Sequence, residues 1–255
     1  MDDLTLARTA AAEAARVILQ GATRSADFKG AVDPVTAVDR AAEAAITSLI
    51  ASERPGDGLL AEEGTDTGAA SGRRWVIDPL DGTVNFVHAV PQVAVSIALE
   101  LDGEPTVGVV RDVYREEEFW ASRGEGAFRD GARISVSATT DIGAALVSTG
   151  FPYDRQERAA DYTRIITRVL QVAQGVRRMG SAAIDLAWVA CGRYEGHWEF
   201  RMAPWDVAAG LLLVLEAGGT ASSSDGGPAT HADVVATNGH IHEALRSAVR
   251  ESMAP

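Results

Sequence analysis

The sequence predicts an α/β protein of two lobes packed as one unit, with helices covering the sheets. Three observations predict it. Two amphipathic helical stretches open the chain, short strands with glycine-rich turns fill residues 75–136, and the second half alternates short strands with apolar helices. No Pro- or Ser-rich linker separates the halves. The lobes, about 1–140 and about 141–255, are therefore expected to form a single unit of 255 residues.

Residues 3–20 place Leu4, Ala7, Ala11, Ala14, Val17 and Ile18 on one helical face, and Gly21 stops the run. Residues 37–51 repeat the pattern with Val38, Ala42, Ala45, Ile46, Leu49 and Ile50. Between them, residues 24–35 read as polar and irregular. Residues 53–74, rich in Gly, Glu, Asp, Ser and Thr, read as a loop carrying Glu62 and Glu63. A buried strand ends at residues 75–77. Residues 93–101 and 106–113 form a hairpin about Asp102-Gly103, and 118–121, 126–128 and 133–136 extend it into a mostly antiparallel sheet. In the second half, strands are expected near 144–148, 176–179, 194–200 and 234–237. Helices are expected over 156–174, 181–190, 206–216 and 241–249, with Gly218-Gly219 ending the third. No repeat of 20–50 residues is visible.

Composition narrows the function. The net charge is −13 and no run of Lys or Arg forms a basic stripe, which disfavours nucleic-acid binding as the main activity. An acidic chain acting on an anion needs cations to bring the two together. Cys191 is the sole cysteine, so no intrachain disulfide can form; in its apolar stretch it reads as a small buried hydrophobe. The chain begins without a basic segment followed by an apolar core, and its longest apolar stretch, 207–215, is too short for a bilayer. A soluble, cytoplasmic protein with no membrane partner is expected.

The chemistry concentrates in Trp75-Val-Ile-Asp-Pro-Leu-Asp-Gly-Thr-Val-Asn-Phe86. Asp78 and Asp81 stand at a strand end, where crowded carboxylates are costly unless something positive neutralises them. A hard divalent cation prefers such oxygen ligands. Pro79 bends the chain so that both carboxylates can face one point. Gly82 and Thr83 offer backbone N–H groups where a helix could begin, which suits a phosphate. Taken alone, an Asp-Pro-x-Asp string is more often a turn with a helix cap. Metal beside phosphate is the chemistry of phosphoryl transfer or hydrolysis.

The whole string Asp78-Pro-Leu-Asp-Gly-Thr-Val-Asn-Phe86 resembles, without a substitution, the first signature of the inositol monophosphatase superfamily of Mg²⁺-dependent phosphomonoesterases. Trp205-Asp206-Val-Ala-Ala-Gly210 resembles its second signature. Ala61-Glu62-Glu63-Gly64 and Asp33-Pro-Val-Thr-Ala-Val-Asp39 match two further elements in order. The resemblance implies a layered αβαβα sandwich, usually a homodimer, that hydrolyses a small phosphorylated metabolite and is inhibited by Li⁺. It implies two to three Mg²⁺ ions, with Mn²⁺ as a possible substitute. Asp78 would bridge two ions, with Glu62 and the Leu80 carbonyl completing one site and Asp81 and Asp206 the other. Thr83 would hydrogen-bond the attacking water, Asp39 would accept from the Thr83 hydroxyl, and Glu62 would join them at the weaker ion. The Gly82 and Thr83 N–H groups would bind a phosphate oxygen. Gly180-Ser181-Ala182 and Glu199 match segments that contact the substrate. Glu63 is a candidate for a supporting role as well as a plain loop acid, and Lys29 lies one residue off the place of a family lysine near the phosphate. Phe151 departs from the small polar residue of animal members. The five histidines and five tryptophans form no ligand pattern.

Myo-inositol 1-phosphate is the expected substrate. Histidinol-phosphate phosphatase, fructose-1,6-bisphosphatase and 3′-phosphoadenosine 5′-phosphate phosphatase are the alternatives within the family. A non-catalytic metal-binding regulatory protein is the alternative of another class; it would tolerate loss of Asp39 or Thr83, and both are present.

Overall fold

The structure, a computed structural model, describes residues 1–21, 25–30, 33–69 and 71–252. Helices α1 (Asp3–Gln20) and α2 (Ala37–Glu53) follow the predicted pattern. Thr36 caps α2 through the Val38 and Asp39 N–H groups, and Asp39 answers by accepting from the Thr36 N–H at 2.9 Å. The stretch between these helices departs from the irregular loop expected. It contains the antiparallel pair β1 (Ala26–Gly30) and β2 (Asp33–Thr36).

A seven-stranded sheet follows, made of β3 (Gly58–Ala61), β4 (Arg73–Asp81), β5 (Ala94–Leu101), β6 (Glu104–Asp112), β7 (Glu117–Ser122), β8 (Gly126–Arg129) and β9 (Ala132–Ile134) in sequential order. All its pairings are antiparallel except β3 with β4, which is parallel. β3 lies inside the stretch read as loop. Its Leu59 and Ala61 are buried, and pairing with β4 supplies what its own composition lacks. The short helix α3 (Thr83–Val87) leaves the end of β4.

A five-stranded sheet comes from the second half, in the order β11 (Gly175–Arg177), β10 (Leu146–Thr149), β12 (Gly196–Phe200), β14 (Asp233–Thr237), β13 (Thr220–Ser222). β13 lies where the sequence pattern predicts no strand. Helices α4 (Ala159–Leu170), α5 (Ala182–Ala190), α6 (Pro204–Glu216) and α7 (His242–Glu251) complete the chain.

Five layers result. α1 and α2 cover one face of the large sheet, α5 and α6 lie between the sheets, and α4 and α7 cover the outer face of the small one. Period-two alternation assigns the side chains to layers. On β4 and β5, Trp75, Ile77, Val95, Ile97 and Leu99 join the α1/α2 core, while Val76, Ala94 and Ala98 join the α5/α6 core. On β14, Val234 and Ala236 face α5/α6 and Val235 faces α4/α7. Each fully buried Leu, Ile or Val of these cores contributes about 1.5–3 kcal/mol of transfer free energy. The αβαβα sandwich implied by the resemblance is the architecture observed.

Candidate active site

A register shift in β4 builds the centre of the site. Asp78 pairs with Ser96 and Asp81 with Ala94, so three steps on β4 match two on β5. In a regular strand, residues three apart point to opposite faces. The extra residue at Pro79-Leu80 makes a bulge, which turns Asp81 to the face that Asp78 already occupies. That face looks toward α6, whose Trp205 carbonyl accepts from the Ser96 hydroxyl at 3.1 Å. Asp206 opens the same helix. One of its oxygens caps the helix by accepting from the Ala203 N–H at 2.7 Å, so capping and a cavity-facing role coexist.

A cleft of about 550 Å³ is lined by Glu62, Asp78, Leu80, Asp81, Gly82, Thr83, Gly180, Ser181, Ala182, Glu199 and Asp206 among others. Eleven sequence-designated positions thus converge on one cavity from both halves of the chain. Asp39 supports it from below. It is 1% exposed and accepts the Thr83 hydroxyl at 3.0 Å, while its other oxygen accepts from Thr36. The Thr83 hydroxyl also lies 3.2 Å from the Leu80 carbonyl. Gly82 has φ +98°, and a Cβ there would stand 2.7 Å from the Gln92 carbonyl, so the turn from β4 into α3 requires glycine. Asn85 donates its side-chain amide to Gln92 at 2.9 Å and to the Met179 and Gly180 carbonyls at 2.9 and 3.1 Å. The last residues of the Asp-Pro-Leu-Asp string therefore clasp the second half of the chain.

The electrostatics follow from burial and like charge. Burial raises the Asp78 carboxyl well above the ordinary range, and Glu62, Asp81 and Asp206 push it further. Asp81 is pushed up to about 6, chiefly by burial, although hydrogen bonds from Ser181 (2.6 Å) and the Ala183 N–H (2.8 Å) oppose the shift. Burial, then Asp81, raises Asp206. Four mutually repelling carboxylates with an all-oxygen donor set fit a hard divalent cation. Among the described residues no three acidic, His or Cys side chains close tightly enough to hold an ion by themselves. A cation would have to draw these carboxylates in, with the Leu80 carbonyl, water and phosphate oxygens completing its shell.

Several expectations change in detail. Ser181 caps α5 and spends its hydroxyl on Asp81, rather than offering only its backbone to the cavity. Glu63 is not among the lining residues; its N–H donates to Glu43 at 2.6 Å. Lys29 lies on β1, and its side chain falls outside the described residues. Phe151 lines the cavity with the Arg178 guanidinium over its ring at 5.5 Å.

Other residues here carried no signal in the sequence. Arg155, Arg178 and Arg201 stand at the cleft; Arg201 is paired with Asp154, and Arg155 and Arg178 give an acidic chain a local positive border for an anion. Beside Glu199 lies a buried group of polar side chains. His197 is 0% exposed, with Nε2 at 3.5 Å from Glu199, and Nδ1 at 3.0 Å from the Ser148 hydroxyl and 3.8 Å from Asp185. Burial, then Glu199 and Asp81, raises the Asp185 carboxyl well above its usual range. Gly150 makes room for Glu199: a Cβ on it would stand 1.9 Å from a Glu199 carboxylate oxygen.

Comparison with known proteins agrees with this geometry. The family model described as "Inositol monophosphatase family" matches residues 2–254. An inositol-1-monophosphatase of Rhizobium meliloti is 42% identical over 226 residues, covering 88% of this chain and 85% of the relative. A Nus factor SuhB of Pseudomonas aeruginosa is 41% identical over 263 residues, covering 99% of this chain and 97% of the relative. The solved structure of an inositol monophosphatase from Anabaena matches with a TM-score of 0.89 at 39% identity, over 97% of this chain and 95% of that one. The chain belongs to the inositol monophosphatase family, which is generally metal-dependent, and it is a phosphatase.

Proposed function

We propose that this phosphatase hydrolyses a small polyol phosphate monoester with Mg²⁺, and that myo-inositol 1-phosphate is its best substrate. The observation that carries the reading is the convergence of Glu62, Asp78, Asp81 and Asp206 beside a Thr83 hydroxyl already held by Asp39. Glu62, Asp78, the Leu80 carbonyl, Asp81 and Asp206 would hold two to three ions, for which Mn²⁺ could substitute. When bound, the ions supply positive charge to the phosphoryl oxygens and acidify a water.

The chain's own residues do the rest. Because the Thr83 hydroxyl donates its hydrogen bond to Asp39, its oxygen is left as an acceptor that would orient a water for in-line attack on phosphorus. Glu62 lies on the same wall and would share that task. The N–H groups of Gly82 and Thr83 would take a phosphate oxygen. Ser181 and the Ala183 N–H hold one oxygen of Asp81, which fixes the direction of the other. Glu199, with Gly180, Ser181 and Ala182, would receive the leaving group, its carboxylate accepting hydroxyl protons of a polyol. The two lobes would act as one unit, since neither carries the full set of residues.

The resemblance also supports a cytoplasmic homodimer inhibited by Li⁺; sizing by light scattering and a Li⁺ titration test both. A second reading, a non-catalytic regulator, draws on the name Nus factor carried by the Pseudomonas relative. The intact Thr83–Asp39 pair favours turnover, since it leaves a hydroxyl oxygen to orient a water, which metal binding alone does not require.

The test compares kcat/KM for inositol 1-phosphate, histidinol phosphate, fructose 1,6-bisphosphate and adenosine 3′,5′-bisphosphate in Mg²⁺, with Asp78→Asn as the control. Inositol 1-phosphate outside the best of these overturns the substrate. Phosphate release from none of them, with Mg²⁺ or Mn²⁺, overturns the proposed enzymatic activity.

A further inference from the structure

We propose that Glu43 is a positioning residue for the Glu62 loop, and that it sets how tightly the carboxylate centre takes a divalent cation. The inference rests on the reading of Glu62 as a metal ligand.

Glu43 lies on α2 and is 6% exposed. A buried carboxylate is costly unless its oxygens are satisfied. No cation pairs with Glu43 among the described residues; three donors from one turn do the work. Oε2 accepts from the Glu63 N–H at 2.6 Å, and Oε1 accepts from the Thr65 N–H at 3.1 Å and the Thr65 hydroxyl at 2.6 Å. The turn closes on itself through the Ala61 N–H to the Thr65 carbonyl at 2.7 Å. On its other side, the Glu62 N–H donates to the carbonyl of Ile77, the residue before Asp78, at 3.2 Å. Glu62 is therefore placed by β4 on one side and by Glu43 on the other.

Asp39, which holds Thr83, stands one turn earlier on α2 (i, i+4), so both acids share a helix face. That face fixes two parts of the site at once: the hydroxyl proposed to orient the water, and the loop proposed to complete the ion's shell. The chemistry of the contact is specific. Both backbone partners of Glu43 are obligate donors, one to each oxygen. A glutamine would turn an amide N–H toward one of them and leave it unsatisfied.

The experiment measures Mg²⁺ affinity by isothermal titration calorimetry on chelator-stripped protein, with thermal unfolding in chelator recorded beside it. For Glu43→Gln we expect Mg²⁺ dissociation weakened about tenfold, the scale seen when outer-shell partners of metal ligands are lost. The double variant Glu43→Gln/Glu62→Gln should be no weaker than Glu62→Gln alone. Thr65→Ala removes one of the three donors without touching either acid, and is expected to weaken binding by less than Glu43→Gln does; if Glu43→Gln does not fold, an unchanged Mg²⁺ affinity in Thr65→Ala overturns the proposal. Mg²⁺ affinity within twofold of the parent in a folded Glu43→Gln, whatever its thermal stability, overturns the proposal. The same result in Glu62→Gln overturns instead the reading of Glu62 on which it rests.

Discussion

Gly150→Ala offers a perturbation of substrate selection that removes no charge and strains no backbone. Gly150 is not in the left-handed region, so an alanine fits its dihedrals. Its Cβ, however, would lie 1.9 Å from Glu199 Oε1 and 2.2 Å from Cδ and Oε2. These atoms are the end of a flexible side chain, so the carboxylate yields and the sheet does not. It must retreat by about 1.5 Å to reach the 3.4 Å of ordinary contact. A hydroxyl–carboxylate hydrogen bond does not survive that displacement. A hydrogen bond to a charged group contributes about 1.5–3 kcal/mol, and each 1.4 kcal/mol is about tenfold. The expected loss is therefore about 10- to 100-fold in kcat/KM for inositol 1-phosphate. The assay sets that substrate against phenyl phosphate, whose leaving group has no hydroxyl, at saturating Mg²⁺. The ratio of the two kcat/KM values should fall by the same factor. An unchanged ratio would refute the assignment of Glu199 to the leaving group, and an equal loss on both substrates would place the damage at the phosphate instead.

Three further outcomes are expected. Thr83→Val keeps the side chain's shape but removes the 3.0 Å bond to Asp39; kcat should fall about 100-fold, the scale of a lost proton-handling group, and steady-state rates within threefold of the parent would refute the role given to Thr83. Mg²⁺ binds only the folded carboxylate centre in this reading, so it should raise the melting temperature of chelator-treated protein; Asp78→Asn should abolish the shift, and a parent protein indifferent to Mg²⁺ and Mn²⁺ would contradict the centre. His242, held between Ser222 and Thr237 at 2.9 and 3.0 Å, lies below its ordinary value of 6.5, first because of burial and then because of Arg246. Its folded form resists protonation, so the stability it contributes is present above 6.5 and is lost as pH falls through the folded value. The urea midpoint should decline below pH 6.5, less so in His242→Gln; equal declines in the two proteins would remove His242 as the cause.

Helices with a clean apolar stripe were legible from their residues, as were strands bounded by turn residues. α1, α2 and the β5–β6 hairpin fall within a residue or two of their predicted bounds. β1, β3 and β13 were not, for a common reason. Ala26–Gly30, Gly58–Ala61 and Thr220–Ser222 are stretches of five, four and three residues, too short to show a period-two pattern, and each is made a strand by the neighbour it pairs with. The site divides the same way. Asp78, Asp81 and Asp206 are legible only through the two strings that contain them, Asp78–Phe86 and Trp205–Gly210, since a carboxylate at a strand or helix end is by itself more often a cap. Glu43 hides in a helix where an acid is unremarkable. His197 and Asp185 gain meaning only when β12 and α5 bring them together, and Gly150 only when Glu199 arrives opposite it. Spacing along the chain records local geometry, and these contacts are made across it.

The clasp of Asn85 has a consequence for how activity arises in time. Its amide closes on carbonyls at positions 179 and 180, and Asp81 takes its fixed orientation from Ser181 and Ala183. A chain emerging from the ribosome could complete the large sheet and still lack those partners, as well as Asp206. It would present carboxylates without a shaped cavity, unable to select or turn over the phosphate esters around it. In the proposed reading hydrolysis would begin only when the second sheet docks, so the onset of activity would mark completed folding.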